Sequence, residues 1–212
     1  MRQWLTKIWS PLLAVLWNLL LVYLVYQIAR LAYYWENADY LSYSWDVFRG
    51  GLLFDTSAIL YTNVLYVVLM LFPLHWKENQ RYHQVCKWLF VLVNSVALAI
   101  NLADSVYFQY TMRRTTTTVF NEFQNENNLA GVIGTEMVNH WYLVLLFIIL
   151  VYAMWKLYRS PGKAVPVGKW WVWYPSQVLL LAACAPFVVA GIRGGFATAV
   201  RPITISNANQ YV

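Results

Sequence analysis

The sequence predicts an all-α membrane protein, a bundle of five transmembrane helices with a short extracytoplasmic interfacial helix between helices 3 and 4. Three observations predict this fold. Of the 212 residues, 60% are hydrophobic and 11% are charged, whereas an ordinary soluble domain has roughly 25% charged residues. Five apolar windows have about the length that crosses a hydrocarbon core, roughly 20 residues. Tryptophan and tyrosine cluster at the ends of these windows, as aromatic rings do at membrane interfaces.

The five predicted spans cover approximately residues 11–32, 52–72, 85–108, 141–158 and 171–192. Pro73 follows the second span as a stop signal, because proline has no backbone N–H to continue a helix. Pro186 lies inside the fifth span and predicts a kink, since neighbouring groups in a membrane bundle satisfy the freed carbonyl. Residues 1–192 are therefore the predicted transmembrane domain, and residues 193–212 are a polar tail.

The charges predict the orientation, because cytoplasmic loops carry an excess of lysine and arginine. With five spans, one face has nine basic residues and a single acid, while the other face has six basic residues and eight acids. We therefore expect a cytoplasmic N-terminus and an extracytoplasmic C-terminus. The basic residues of the predicted cytoplasmic face are Arg2, Lys7, Lys77, Arg81, Lys87, Lys156, Arg159, Lys163 and Lys169.

The longest polar stretch, residues 109–140, is predicted to lie outside the cell. Its string TTTTVFNEFQNE (115–126) begins with threonines suited to a helix N-cap and has Val119, Phe120 and Phe123 at helical spacing. This pattern predicts a short helix on the membrane surface. The loop 36–55 and the tail 193–212 lie on the same predicted side, so we expect three polar segments to converge there.

The sequence shows no recognisable catalytic centre. Hydrolases and transferases need a nucleophile with a base, or clustered metal ligands. His75 and His83 fall on the predicted inner face and His140 on the outer one, and no histidine or lysine base accompanies the threonine run 115–118. We therefore expect no catalytic residue, metal or cofactor in this segment. The dispersed basic residues, without a nucleic-acid module, also predict no nucleic-acid partner.

Two carboxylates near predicted outer helix ends are candidate site residues, because ionisable groups at membrane depth are costly. Asp104 lies about one turn before the outer end of the third span, and Asp55 lies near the outer start of the second. Either they bind arginine or backbone amides at the interface, or they line a polar pocket that opens outward. Asn94 and Asn101 share a helical face with Asp104, which fits a pocket and interhelical hydrogen bonds equally well.

Four arginines on the predicted outer side are candidates for binding phosphate. Arg113 and Arg114 follow an aromatic run, where arginine either forks onto a lipid phosphate or snorkels as an anchor. Arg193 and Arg201 flank GGFATAV beyond the fifth span and could join them in one patch. We therefore expect membrane phospholipids with anionic head groups as partners.

Three strings carry a resemblance to a known family: FRGGLLFDTSAILYTNVLYVVLMLFP (48–73), NLADSVYFQYTMRRTTTTVFNEF (101–123) and RGGFATAVRPITISNANQYV (193–212). They resemble the membrane-embedded N-terminal part of sulfatase-type lipoteichoic acid synthase family proteins, in the form found in Gram-negative bacteria. Arg49, Asp55, Asp104, Arg113 and Arg114 lie in the matching strings. The resemblance assigns no catalytic role to them.

The resemblance implies a five-helix anchor in the bacterial cytoplasmic membrane, followed by an extracytoplasmic domain of alkaline phosphatase type. In such a domain a metal-held threonine transfers phosphoglycerol or phosphoethanolamine from a lipid to an acceptor, or phosphate and sulfate esters are hydrolysed. The present chain would be the lipid-facing domain, with its own C-terminal catalytic domain as partner. Residues 193–212 would begin the linker, and the divalent metal would belong to the domain beyond Val212.

Two other functions fit the same sequence. A small transporter or channel could use the polar face of the third helix, although transporters usually have repeated halves and the five predicted spans show no duplication. A non-catalytic membrane assembly module could instead bind protein partners through the outer loops.

Overall fold

The computed structural model describes residues 2–41, 45–72, 79–115, 129–161 and 170–194. These residues form helices and connecting segments, without a strand among them, so the predicted all-α class is confirmed. The helices are α1 (Arg2–Glu36), α2 (Trp45–Thr62), α3 (Val64–Leu71), α4 (Gln80–Thr111), α5 (Leu129–Asn139), α6 (Trp141–Leu157) and α7 (Trp170–Arg193).

The helices are long and apolar enough for a multi-pass membrane protein. Three stretches meet the length and composition of a span alone: Trp9–Glu36 in α1, Gln80–Thr111 in α4 and Tyr174–Arg193 in α7. Two further spans result if each bent pair crosses as one unit, namely α2 with α3, bent by 55°, and α5 with α6, bent by 85°. The structure therefore supports three to five spans, and the predicted five require both bent pairs to cross.

The helix ends differ from the predicted span ends in ways that local hydrogen bonding explains. α1 continues to Glu36 and α4 to Thr111, since helical backbone bonds persist past the apolar windows, from the Asn37 N–H to the Tyr33 carbonyl and from the Met112 N–H to the Phe108 carbonyl. Asp104 therefore lies two turns before the end of α4, and Asp55 lies well inside α2. The predicted interfacial helix 115–126 lies outside the described residues except for Thr115. Helix α5, which the sequence did not predict, begins later, at Leu129.

The chain divides into two compact units. The first unit comprises Met1–Tyr23, Tyr43–Asn94 and Leu157–Val212, and the second comprises Leu24–Ser42 and Ser95–Lys156. Helices α1 and α4 each contribute residues to both units.

A glycine lies at the helix contact in the first unit. Helix α7 packs against α2 and α3. A Cβ atom at Gly191 would overlap Cδ1 of Leu60, the end of a flexible side chain, and touch Cγ2 of Thr56, so Gly191 faces α2. The Ser57 hydroxyl donates to the carbonyl of Ile192 at 2.8 Å. Small residues and hydroxyl bonds of this kind are the usual means of joining helices in lipid.

A buried amide pair in the first unit lies at the break between α2 and α3. Asn63 and Asn94 are fully buried and exchange two hydrogen bonds, Nδ2 of Asn63 to Oδ1 of Asn94 at 2.9 Å and the reverse bond at 2.8 Å. Each amide also donates to its own helix, to the carbonyls of Ile59 and Phe90. The pair therefore fixes α4 to the bent span at the position where the bend occurs.

In the second unit, polar side chains join the end of α1 to α4 and α6. Buried Asn37 donates through Nδ2 to the carbonyls of Tyr33 and Ser105, at 2.9 and 3.0 Å. The amide of Gln109 donates to the Glu36 carbonyl at 3.0 Å. The Glu36 carboxylate accepts from the Tyr142 hydroxyl at 2.8 Å. The Gln109 bond satisfies a carbonyl that the end of α1 would otherwise leave without a donor.

Candidate functional site

Asp104 in the second unit organises the segment that follows α4. Asp104 is 3% exposed. Its carboxylate accepts two hydrogen bonds, from Nε of Arg114 at 2.7 Å and from the backbone N–H of Thr115 at 2.6 Å. Met112 makes this return possible, because its φ of 53° turns the chain sharply where α4 ends. The sequence left two alternatives for Asp104, and the structure has the arginine and backbone-amide partners of the first.

Arg114 lies between the buried carboxylate and the surface. Its guanidinium carbon is 4.9 Å from the centre of the Tyr33 ring, and Tyr33 in turn meets Phe108 edge to face at 5.6 Å. The arginine side chain is 57% exposed, whereas the carboxylate side chain is 5% exposed. Arg114 therefore pairs with Asp104 through Nε, while more than half of its side chain is exposed.

The structure brings together only some of the predicted site residues. Asp104, Arg113 and Arg114 belong to the second unit. Arg113 is exposed and lies just after the end of α4. Arg49, Asp55 and Arg193 belong to the first unit. There, Arg49 is exposed on α2 and Asp55 is half-buried on the same helix. Arg193 is the last residue of α7 and follows Ile192, whose carbonyl accepts the hydrogen bond from the Ser57 hydroxyl. Arg201 lies outside the described residues.

The polar residues of α4 do not act as one group. Asn94 binds Asn63 across helices, which is the interhelical bond that the sequence allowed. Asn101 donates to the carbonyl of Ala97 in its own helix at 3.0 Å. Asp104 binds Arg114 and Thr115. The three residues share a helical face, but each makes its own hydrogen bonds with different partners.

A second arginine site, in the first unit, was not predicted. The Asn18 side chain pairs with the main chain of Arg159 on both sides, since Nδ2 donates to its carbonyl at 2.8 Å and Oδ1 accepts from its N–H at 2.9 Å. Nδ2 also donates to the Tyr66 hydroxyl at 2.6 Å. Trp17 donates from Nε1 to the Leu157 carbonyl at 3.1 Å. Asn18 and Trp17 thus fix the chain as it leaves α6.

The Arg159 side chain lies flat on an aromatic ring. Its guanidinium carbon is 3.7 Å from the centre of the Trp17 ring, which is face-to-face contact distance. The neighbouring Tyr158 packs against Tyr66 and Phe90, at ring distances of 6.3 and 5.4 Å. The ammonium group of Lys87 is 5.8 Å from the Tyr158 ring centre.

An isolated asparagine was the sequence signal for the Arg159 site. Asn18 is the only amide in the apolar run from Pro11 to Tyr26, and a buried amide in lipid needs partners. No sequence pattern indicates that the partner is the main chain of Arg159, because that residue lies 141 positions away. Within the described ranges, no group of three or more histidine, cysteine or acidic residues could hold a metal ion.

No family model, curated protein or solved structure matches this chain.

Proposed function

We propose that this chain is the membrane anchor and lipid-facing domain of a lipoteichoic acid synthase-like enzyme of the sulfatase type. Such an enzyme transfers phosphoglycerol or phosphoethanolamine head groups, or hydrolyses phosphate or sulfate esters, outside the cytoplasmic membrane. The proposal starts from the resemblance of the strings 48–73, 101–123 and 193–212. One structural observation carries it further, namely the fixed segment that Asp104 holds at the end of α4.

The Asp104 arrangement suits a surface that presents a lipid head group. Two hydrogen bonds to one buried carboxylate fix the chain from Thr111 to Thr115, while Arg113 and the outer part of Arg114 are exposed. Planar guanidinium groups bind phosphate oxygens in pairs, and a fixed backbone lowers the entropy lost on binding. The proposed role of Arg113 and Arg114 is therefore to bind the phosphate of an anionic phospholipid in the predicted outer leaflet.

The lipid-binding part of the proposal is tested with the double variant Arg113→Gln, Arg114→Gln in the full chain. Phosphatidylglycerol retained by the detergent-purified protein is counted by native mass spectrometry. Each cation near a lipid surface contributes about fivefold to affinity, so we expect about one lipid fewer at a limiting concentration. Lys156→Gln, an exposed cation in the same unit but on the opposite predicted face, is the matched control. Unchanged retention in the double variant would sink this role.

The enzymatic part of the proposal is tested on the coding sequence downstream of Val212. A following domain with an early threonine and scattered aspartate, glutamate and histidine ligands would support the head-group transferase. A stop codon at that position would refute it, and the lipid-binding result would then stand for the bundle alone.

A further inference from the structure

The Arg159 site differs from the Asp104 site in its unbalanced charge. Both hold an arginine on an aromatic ring and fix its chain segment with a buried polar side chain. At Arg114 the fixing group is a carboxylate, whereas at Arg159 it is the neutral amide of Asn18. Of the acidic side chains that the structure describes, only Asp55 belongs to the unit of Arg159. None of the described ion pairs involves Arg159.

We propose that Arg159 and Lys87 form a binding site for the phosphate group of an anionic membrane phospholipid. Arg159 stacks on Trp17, Lys87 lies over the ring of Tyr158, and Tyr158 and Arg159 are consecutive residues, so the two cations flank one short segment. A guanidinium that lies flat on a ring directs its N–H donors sideways, which is the direction a phosphate needs for a forked contact.

The site is preorganised for such a ligand. Asn18 and Trp17 bind the main chain of residues 157 and 159, so binding does not have to order the backbone. The buried rings of Tyr66 and Phe90 pack against Tyr158 and hold it in place beside the charges. The charge count places Lys87 and Arg159 on the predicted cytoplasmic face, where basic pockets meet anionic lipids.

One local effect opposes an anion here, and it is the smaller effect. The C-terminal end of α6 carries partial negative charge, which disfavours an anion by about two- to fivefold. The indole of Trp17 already donates to the Leu157 carbonyl and so offsets part of that charge. Two cations near a lipid surface favour the anion by about fivefold each. The balance therefore favours binding.

The site is independent of the function proposed above, and its test keeps the two apart. The starting protein is the full chain with Arg113→Gln and Arg114→Gln, which removes the two cations of the function proposed above. Phosphatidylglycerol is titrated into the delipidated protein in neutral detergent, and occupancy is read by native mass spectrometry. Phosphatidylcholine and water-soluble glycerol 3-phosphate are titrated in parallel.

We expect Arg159→Gln and Lys87→Gln each to weaken phosphatidylglycerol binding about fivefold, and the pair together by more than tenfold. Arg159→Lys keeps the charge but loses the fork, so its loss should be smaller than that of Arg159→Gln. The matched control is Arg81→Gln, an exposed cation in the first turn of α4 within the same unit, which should bind like the starting protein. Circular dichroism and elution volume check that each variant is folded.

Three outcomes would overturn the proposal. Unchanged binding in both Arg159→Gln and Lys87→Gln means that the cations are interfacial anchors only. An equal loss in Arg81→Gln means that binding follows overall charge and not this site. Glycerol 3-phosphate that competes as well as the lipid means that the ligand is a soluble phosphate ester and not a membrane lipid.

Discussion

The Asp104 and Asn18 sites each bind the backbone of a segment that follows a helix, but Asp104 is charged and Asn18 is neutral. In each, a chain segment leaves a long helix and returns to a buried polar side chain, and an arginine of that segment lies over an aromatic ring. Asp104 is charged and binds Arg114 directly, while Asn18 is neutral and binds only the main chain of Arg159. The first arrangement pairs its arginine with a carboxylate, and the proposed lipid contact uses the exposed part of the same side chain. The second fixes its arginine only through the main chain, and none of the described ion pairs involves that guanidinium.

Removal of the buried carboxylate should have the largest effect on stability. Asp104→Ala loses a charge-assisted bond from Arg114 and one from the Thr115 amide, and it leaves that amide without its partner. We expect the free energy of unfolding to fall by about 3 kcal/mol, a value discounted because Arg114 is largely exposed. Unfolding in mixed micelles with rising SDS measures it.

The matched control for Asp104 is Asp39→Ala, which removes an exposed carboxylate from the same unit. It should change the free energy of unfolding by less than about 0.5 kcal/mol. An Asp104→Ala variant that unfolds like this control would mean that the carboxylate does not hold the segment, and the comparison with Asn18 would lose its basis.

Removal of the neutral amide should have a smaller effect. Asn18→Ala loses three hydrogen bonds, two with Arg159 and one with Tyr66. Neutral bonds inside membrane proteins contribute about 0.6 kcal/mol each, so we expect a loss of about 2 kcal/mol, measured in the same SDS titration. The control Asn101→Ala removes an amide whose donor stays within its own helix and should cost well under 1 kcal/mol. A loss at Asn18 greater than that at Asp104 would reverse the ranking.

The Asn63–Asn94 pair measures a neutral buried contact that involves no arginine, so it can be compared with the Asp104 and Asn18 sites. Each single exchange to leucine leaves the partner amide with an unsatisfied group, whereas the double exchange removes both groups. A double-mutant cycle on the free energy of unfolding should therefore give a coupling of about 1 kcal/mol. Additive single effects would show that the two amides are satisfied by their own helices alone.

The long helices α1, α4 and α7 were predictable because lipid demands long apolar windows, and these windows are visible in the composition. Helix α5, with 11 residues, is too short for such a window and was not predicted. The bends were not predictable, since the sequence at Asn63 and His140 has neither proline nor glycine to indicate a break. The pairing of Asp104 with an arginine or a backbone amide was one of two stated alternatives, and the structure identifies Arg114, ten residues away, as that arginine. The Arg159 site was out of reach, because Asn18 recognises a backbone and a backbone carries no sequence signal.

The segments that follow α4 and α6 also differ in backbone strain. This difference gives the smallest expected change in the free energy of unfolding. Among the described non-glycine residues, only Met112 has a positive φ, 53°, a conformation that costs residues with a Cβ roughly 1–2 kcal/mol. Glycine removes that cost, but its greater freedom in the unfolded chain lowers the free energy of unfolding by about 0.5–1 kcal/mol.

Because Met112 is 55% exposed, Met112→Gly gives up little buried apolar surface and should raise the free energy of unfolding by about 0.5 kcal/mol. Met137, 52% exposed and inside α5, is the control. There glycine relieves no strain and should destabilise by about 1 kcal/mol. The opposite signs of the two changes, measured in parallel SDS titrations, test whether Met112 holds a strained turn at the end of α4. Two losses of equal size would show that Met112 does not hold a strained turn.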